Sequence, residues 1–252
     1  MNKQDKILKI KEIFVVTPTI QKLIDTVEEA RDLSILYNYQ HLPDCVFVTG
    51  ETGVGKTTLI DKYMVENMPY DVEYGNGEGE KTIVPVLRCE LPKAKHPKPV
   101  VSELLSELGS PENSIKGDVR QLTKRLVEQL KSAKVELIII DEFQHAIETT
   151  NKNVIQEIGE WFKILLNQAK IPIVFIGVPW SYPVLEVNPQ LKRRVRKRHF
   201  QMPNYTLETF GEFQQFIRSV TEQLPVDVYD PLESSLNAFR LFAASKGNLS
   251  EL

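Results

Sequence analysis

The chain has 252 residues, 42% hydrophobic and 26% charged, with a net charge of −3; that suits one large globular α/β domain, alone or with a small appendage. The net negative charge excludes phosphate binding by bulk charge, so any contact with nucleic acid must come from local clusters. Two cysteines, Cys45 and Cys89, stand in no metal-ligand spacing, which fits a reduced, intracellular setting.

In chain order, Met1 to Lys11 is Lys-rich without a continuous apolar core, so it does not read as a secretory leader. Pro18 to Asp32 reads as a helix, with Thr17 as N-cap and Pro18 in the first turn. Cys45 to Thr49 is a short apolar run entering a glycine loop, a buried strand, and Lys56 to Glu66 is the helix after it. Asp71 to Lys81 is polar and holds Gly75, Gly77 and Gly79, which marks a loop. Thr82 to Arg88 reads as a second strand and Glu90 to Pro99 as a Pro/Lys loop. Val100 to Leu108 and Gly117 to Lys131 read as helices, the latter with Val119, Leu122, Leu126 and Leu130 on one face.

Glu136 to Asp141 is the third strand, Val154 to Gln168 a helix and Ile173 to Gly177 the fourth strand. The apolar stretch Ile171 to Trp180 contains Pro172 and Pro179 and is too short to span a bilayer, so a cytoplasmic protein without membrane contact is expected. Pro189 to Val195 reads as a short helix, Arg198 to Met202 as a fifth strand, and Leu207 to Leu224 and Pro231 to Ser245 as helices. Alternating strands and helices predict a parallel sheet covered on both faces. The expected division is a nucleotide-binding α/β domain over 1–205 and a helical lid over 206–252. Gly247 to Leu252 reads as the start of a further helix, so the lid is expected to continue.

Gly50, Glu51, Thr52, Gly53, Val54, Gly55, Lys56 and Thr57 match G-x-x-x-x-G-K-[ST]. Glycines let the backbone curl so that several N–H groups face phosphate oxygens, and the following helix adds its positive end. The pattern assigns Lys56 to the β- and γ-phosphates of ATP and Thr57 to Mg²⁺; Thr58 completes the candidate cofactor-binding set. The competing reading, a glycine-rich turn that happens to hold a lysine, is weakened by the strand before it and the helix after it.

Leu137 to Glu142 is an apolar strand ending in two acids. Asp141 is expected to hold Mg²⁺ beside Thr57, and Glu142 to be the general base that polarises the attacking water. Alone, the pair reads as a cap for the next helix; with the phosphate loop upstream, the catalytic reading prevails. An adjacent glutamate also predicts an extra strand between the loop strand and the Asp strand, a place that Ile173 to Gly177 fits. Gly177, Val178 and Pro179 leave no polar sensor at its end, and Ser181 is the nearest hydroxyl.

Lys192 to Arg198 holds six cations in seven positions. It reads as a solvated helix end, as a nucleic-acid patch, or as the source of an arginine reaching the γ-phosphate of a neighbouring subunit. For that last role Arg194 is the candidate, with Arg193 and Arg196 next. Lys93, Lys95, His96 and Lys98, with Lys116, Arg120 and Lys124, form a second basic group. These loops suit non-specific phosphate contact, or are ordinary solvated charge. His145 reads as supporting the acids, and Trp161 as core.

Together the phosphate loop, the run LIIIDEFQH over Leu137 to His145, Ile171 to Val174, Gln190-Leu191 and the segment Phe14 to Asp32 resemble the TnsC/TniB transposition regulators, over about Phe14 to Leu249. The likeness is greatest to the TnsC proteins of Cascade-type CRISPR-associated transposons. The resemblance implies an AAA+ P-loop NTPase fold: a parallel five-stranded sheet sandwiched by helices, plus a partial C-terminal helical lid. It implies ATP-dependent assembly into rings or filaments around duplex DNA, with about six or seven subunits per turn. It also implies an adaptor role between TniQ/Cascade targeting and the TnsA/TnsB transposase. Carried over residue by residue, it assigns nucleotide roles to Lys56, Thr57, Asp141 and Glu142, a trans role to Arg194 and an adenine-facing role to Phe14, Val15 and Thr17. It assigns DNA contact to the loops holding Lys93, Lys95, Lys98, Lys116 and Arg120. One departure stands out: where the family often shows G-N-x-R, Ser250 occupies the arginine position, so this cis-acting arginine is missing or lies elsewhere. Two other readings remain, a replication initiator or helicase loader and a nucleotide-binding scaffold with little turnover.

Overall fold

A computed structural model describes residues 2–73, 80–146, 152–182, 185, 188–195 and 198–252. Two compact units emerge: a sheet unit of Leu23–Thr49 and Tyr63–Gln201, and a loop unit of Met1–Lys22, Gly50–Lys62 and Met202–Leu252.

The strands are β1 (Val46–Gly50), β2 (Tyr70–Glu73), β3 (Glu80–Ile83), β4 (Val86–Glu90), β5 (Leu137–Asp141), β6 (Ile173–Gly177) and β7 (His199–Met202). The described helices are α1 (Lys3–Lys11), α2 (Pro18–Leu36), α3 (Lys56–Glu66), α4 (Pro97–Glu107), α5 (Val119–Ser132), α6 (Lys152–Ala169), α7 (Pro189–Val195), α8 (Phe210–Gln223) and α9 (Ser235–Ser245).

The main sheet runs in the order β4-β5-β6-β1-β7. Parallel ladders join β4 to β5, β5 to β6 and β6 to β1, in registers such as Arg88↔Ile139, Ile140↔Phe175 and Thr49↔Gly177. The expected inserted strand is therefore present: β6 lies between the loop strand and the acid strand. β1, β5 and β6 are buried at every residue, which explains why they read as unbroken apolar runs and not as alternating ones. Phe143, Phe162 and Phe175 meet with ring centroids 4.7–5.9 Å apart at the centre of this core. α5 starts on a capping box: Asp118 Oδ1 accepts the Gln121 amide (2.8 Å) and Gln121 Oε1 accepts that of Asp118 (3.0 Å). Its buried stripe holds Leu122, Leu126 and Leu130. Trp161 is buried, as expected, and donates to Thr123 Oγ1 (2.9 Å).

Several boundaries differ from expectation. The polar stretch read as a loop is flanked by an antiparallel hairpin, with Tyr70↔Ile83 and Glu73↔Glu80 in register. Its β2 strand is exposed throughout, so no burial pattern announces it; Gly75, Gly77 and Gly79 lie outside the described residues. The single strand expected over Thr82 to Arg88 is two, because the chain turns at Val84-Pro85. There the Val84 amide leaves for Ala133 O (2.9 Å), and Pro85 O accepts the Glu136 amide (2.9 Å). α4 begins at Pro97, where proline suits a first turn. α1 was not anticipated, although Asn2 and Asp5 form a capping box. After Gly247 a single 3₁₀ turn, Leu249–Glu251, replaces the expected helix start.

Within the loop unit, α8 and α9 are joined by aromatic rings. Phe213 is fully buried, with centroids 5.3 Å from Tyr205 and 5.5 Å from Phe242, and Phe210 lies 5.6 Å from Phe242. No helix among the described residues is long and apolar enough to cross a membrane.

In the sheet unit, Arg31 on α2 holds distant segments together. Its guanidinium donates to Glu136 Oε2 (2.9 and 2.5 Å), just before β5, and to Asn67 Oδ1 (2.7 Å), just after α3. Its side chain is only 13% exposed. Arg31→Met removes these charge-assisted bonds and leaves Glu136 without its cation. The expected cost is about 2 kcal/mol, read in thermal unfolding as a drop of roughly 4–8 °C.

Candidate nucleotide site

In the loop unit, β1 ends at Gly50 and α3 starts at Lys56, so five residues must reverse direction. Gly53 (φ +87°) and Gly55 (φ +92°) achieve this in the left-handed region open to glycine. At Gly53 a Cβ would also lie 2.3 Å from Ser250 Oγ and 2.4 Å from Asn248 Oδ1. Lys56 Nζ donates to the loop carbonyls of Gly50 (2.7 Å) and Glu51 (2.8 Å), which holds the ammonium against the loop. Thr57 and Thr58 are exposed on the first turn of α3, with Val54 buried beneath the loop.

Two residues whose part in this loop the sequence reading missed support it. Asn248 Nδ2 donates to Thr52 O (2.9 Å), and the Ser250 amide donates to Gly53 O (3.0 Å). Asn248 Oδ1 in turn accepts from the Ser250 amide (2.9 Å) and hydroxyl (2.7 Å). The signal was present in Gly247-Asn248, but the reading was directed to the arginine that Ser250 replaces. Phe14, Val15 and Thr17 are half-buried. Thr17 Oγ1 accepts the Ile20 amide (3.3 Å) and so caps α2 as expected, while Phe14 O accepts a long bond from Gln223 of α8 (3.5 Å).

The acid pair lies in the sheet unit, at the carboxyl end of β5. Asp141 is 4% exposed. Its Oδ2 accepts from Arg88 Nη2 on β4 (3.0 Å) and its Oδ1 from the Glu142 amide (2.9 Å). Glu142 itself takes the left-handed conformation (φ +53°), which turns the chain out of the strand into the 3₁₀ turn Phe143–Ala146. Gln144 Nε2 donates to Glu142 Oε2. His145 Nδ1 donates to Leu91 O (2.7 Å), and its Nε2 stands 3.9 Å from Glu142 Oε2. Ser181, the nearest hydroxyl to the sensor position, is fully buried and closes a turn on Val178 O (2.6 Å).

Among the described residues no cluster of three or more His, Cys, Asp or Glu could hold a metal. Taken singly, Asp141 in the sheet unit offers a carboxylate and Thr57 in the loop unit a hydroxyl, oxygen donors of the kind that Mg²⁺ takes. Both cysteines are buried; burial pushes the Cys45 thiol up to about 12 and raises that of Cys89. Neither is poised as a nucleophile.

The basic segments divide. Arg194 donates to Pro43 O (3.3 Å) and Asn167 Oδ1 (3.2 Å), and Arg198 is tied to Glu29 (2.9 Å) and Asp44 (3.3 Å). Arg193 is exposed, whereas Arg196 and Lys197 lie outside the described residues. Lys93, Lys95, Lys98, Lys116 and Arg120 are all exposed. Arg120 lines an open depression with Asp118, Gln121, Lys124 and Gln168.

Comparison with curated proteins gives no sequence match. Among solved structures, the Aeropyrum pernix ORC2 protein in its ADPNP–ADP complexes is similar with a TM-score of 0.60 at 19% identity, over 89% of this chain and 58% of that one. The A. pernix ORC1 protein in complex with DNA gives 0.54 at 18%, over 89% and 56%. Cdc6p from Pyrobaculum aerophilum gives 0.50 at 18%, over 89% and 55%. The chain thus spans less than three fifths of these proteins, and the likeness shows the fold alone, the AAA+ P-loop type with its parallel five-stranded sheet. The family model described as bacterial TniB protein matches residues 6–205. With that match over most of its length, the chain belongs to the TniB family.

Proposed function

We propose that this chain is an ATP-hydrolysing AAA+ regulator of transposition that assembles on duplex DNA. The observation that carries the reading is a complete phosphate loop and acid pair in a chain of the TniB family. Lys56 and the curled amides of Gly50 to Thr58 bind the triphosphate, and Phe14, Val15 and Thr17 face the base. Thr57 and Asp141 hold Mg²⁺, which when bound neutralises phosphate charge. Glu142 takes the proton of the attacking water. Arg194, or the exposed Arg193 beside it, reaches the phosphates held by a neighbouring copy.

Residues 206–252 act as the lid over the nucleotide domain formed by 1–205. ATP held between copies stabilises the assembly because it binds the assembled interface alone, and hydrolysis releases it. Lys93, Lys95, Lys98, Lys116 and Arg120 contact DNA phosphates without reading sequence. The finer proposal is a TnsC-type adaptor in the cytoplasm, working between a TniQ/Cascade targeting complex and a TnsA/TnsB transposase. A scaffold with little turnover is the second reading, favoured by Ser250 in place of an arginine and by the apolar Gly177-Val178-Pro179.

Two experiments test the reading. Gly53→Ala forces a Cβ into the space of Ser250 and Asn248 at φ +87°, so ATP affinity measured by calorimetry is expected to fall at least about tenfold; unchanged affinity refutes the loop's role. Glu142→Gln is expected to bind ATP normally, to slow phosphate release roughly a hundredfold or more, and to persist on DNA as ATP-bound assemblies visible by electron microscopy. Disassembly as fast as in the unmodified chain would remove Glu142 as the base. Absence of phosphate release by the unmodified chain, with or without DNA, would favour the scaffold.

A further inference from the structure

We infer that Gln144 is a positioning residue for the catalytic base: its carboxamide ties the Glu142 carboxylate to the carboxyl end of β6. The inference rests on the assignment of Glu142 proposed above. The end of β6 needs a polar group if it is to influence the reacting water, and Gly177, Val178 and Pro179 bring no polar side chain. They do bring a backbone amide. Val178 N–H donates to Gln144 Oε1 (3.3 Å), while Gln144 Nε2 donates to Glu142 Oε2. The orientation of the carboxamide follows from its partners: only an oxygen accepts from Val178 N–H, so the NH₂ faces the carboxylate.

Three features hold the tie in place. Phe143, beside Gln144, is fully buried, with its ring 4.7 Å from that of Phe175 on β6, so the turn is anchored to the strand it bridges. Gln144 is itself 9% exposed, and a buried carboxamide with both ends bonded is costly to displace. Gly177 leaves the room: a Cβ there would lie 3.0 Å from Gln144 Oε1 and 2.8 Å from Ser181 Oγ. His145 does not substitute for Gln144. Its Nδ1–H is committed to Leu91 O, and its Nε2 stands 3.9 Å from Glu142 Oε2, beyond hydrogen-bond reach.

The task requires a donor and an acceptor on one terminal group at this reach, which selects glutamine. Glutamate keeps the acceptor for Val178 but loses the donor and sets a second carboxylate against Glu142. Methionine keeps the shape and loses both bonds. A merely structural role predicts that Gln144→Glu and Gln144→Met are less stable but, while folded, turn over ATP like the unmodified chain.

The experiment measures phosphate release against ATP concentration for the full chain, Gln144→Glu, Gln144→Met and Glu142→Gln, with thermal unfolding alongside. The clamp predicts that both Gln144 variants lose at least about tenfold in kcat while KM for ATP stays within about twofold, and that this loss persists at temperatures well below each variant's unfolding midpoint. The inference is overturned if kcat of Gln144→Glu stays within about twofold of the unmodified chain, or if losses in both variants simply follow lowered stability. Loss of turnover in Glu142→Gln beside silent Gln144 variants rejects the clamp and spares the base. Normal turnover in Glu142→Gln, or none in the unmodified chain, rejects both.

Discussion

A carboxylate buried inside an apolar sheet is the constraint around which the acid site is built. Taking such a group out of water costs several kcal/mol unless partners replace the lost hydration. Asp141 is 4% exposed, and its partners are Arg88 and the amide of Glu142. The first requires β4 to lie directly beside β5, as it does with Glu90 opposite Asp141 in register. The second coincides with the left-handed turn at Glu142, a conformation that costs on the order of 1–3 kcal/mol for a residue with a side chain. That turn carries the chain into the 3₁₀ segment holding Gln144 and His145, so the surroundings of Glu142 follow from the compensation of its neighbour. Arg88 therefore performs two tasks: it balances the buried charge, and it fixes which strand borders the acids.

Local patterns were legible in the sequence, and long-range pairings were not. The phosphate loop, the acid strand and the inserted β6 each rest on spacing within a few residues, and the structure places β6 between the other two strands as expected. Arg88 lies 53 residues before its partner, at the end of a stretch read only as a strand, and nothing local to it announces an ion pair. Arg31, 105 residues from Glu136, is hidden for the same reason. The hairpin of β2 and β3 escaped because both strands are largely exposed and polar, so the alternation that normally betrays a strand carries no burial signal. Gln144 stands inside the run Leu137 to His145, but its bonds to Glu142 and to Val178, 34 residues on, form only once β5 and β6 are paired, so the run alone suggests no role for it.

In the loop unit the same principle operates through backbone carbonyls. A loop that aims its amides inward directs several carbonyls outward, and each needs a donor. Lys56 serves Gly50 and Glu51, Asn248 serves Thr52, and the Ser250 amide serves Gly53. The segment after Gly247 thus fixes the shape of the loop by hydrogen bonds to its outer side. Gly53 is required twice over, by its backbone angle and by the closeness of Asn248 and Ser250.

This arrangement bears on the charge balance of the proposed cycle. An arginine in the place of Ser250 would add a cation from the same chain; Ser250 supplies only a backbone amide and a hydroxyl engaged with Asn248. Lys56 is then the side-chain cation of the phosphate loop itself, and the charge that develops during phosphoryl transfer requires more than one. Under the proposed function the deficit is met by an arginine from a neighbouring copy. Arg193 is exposed, whereas Arg194 must first give up weak contacts to Pro43 and Asn167. With Ser250 at that position, the proposed cycle draws its second cation from the neighbour and not from position 250, so that under this reading hydrolysis is coupled to assembly.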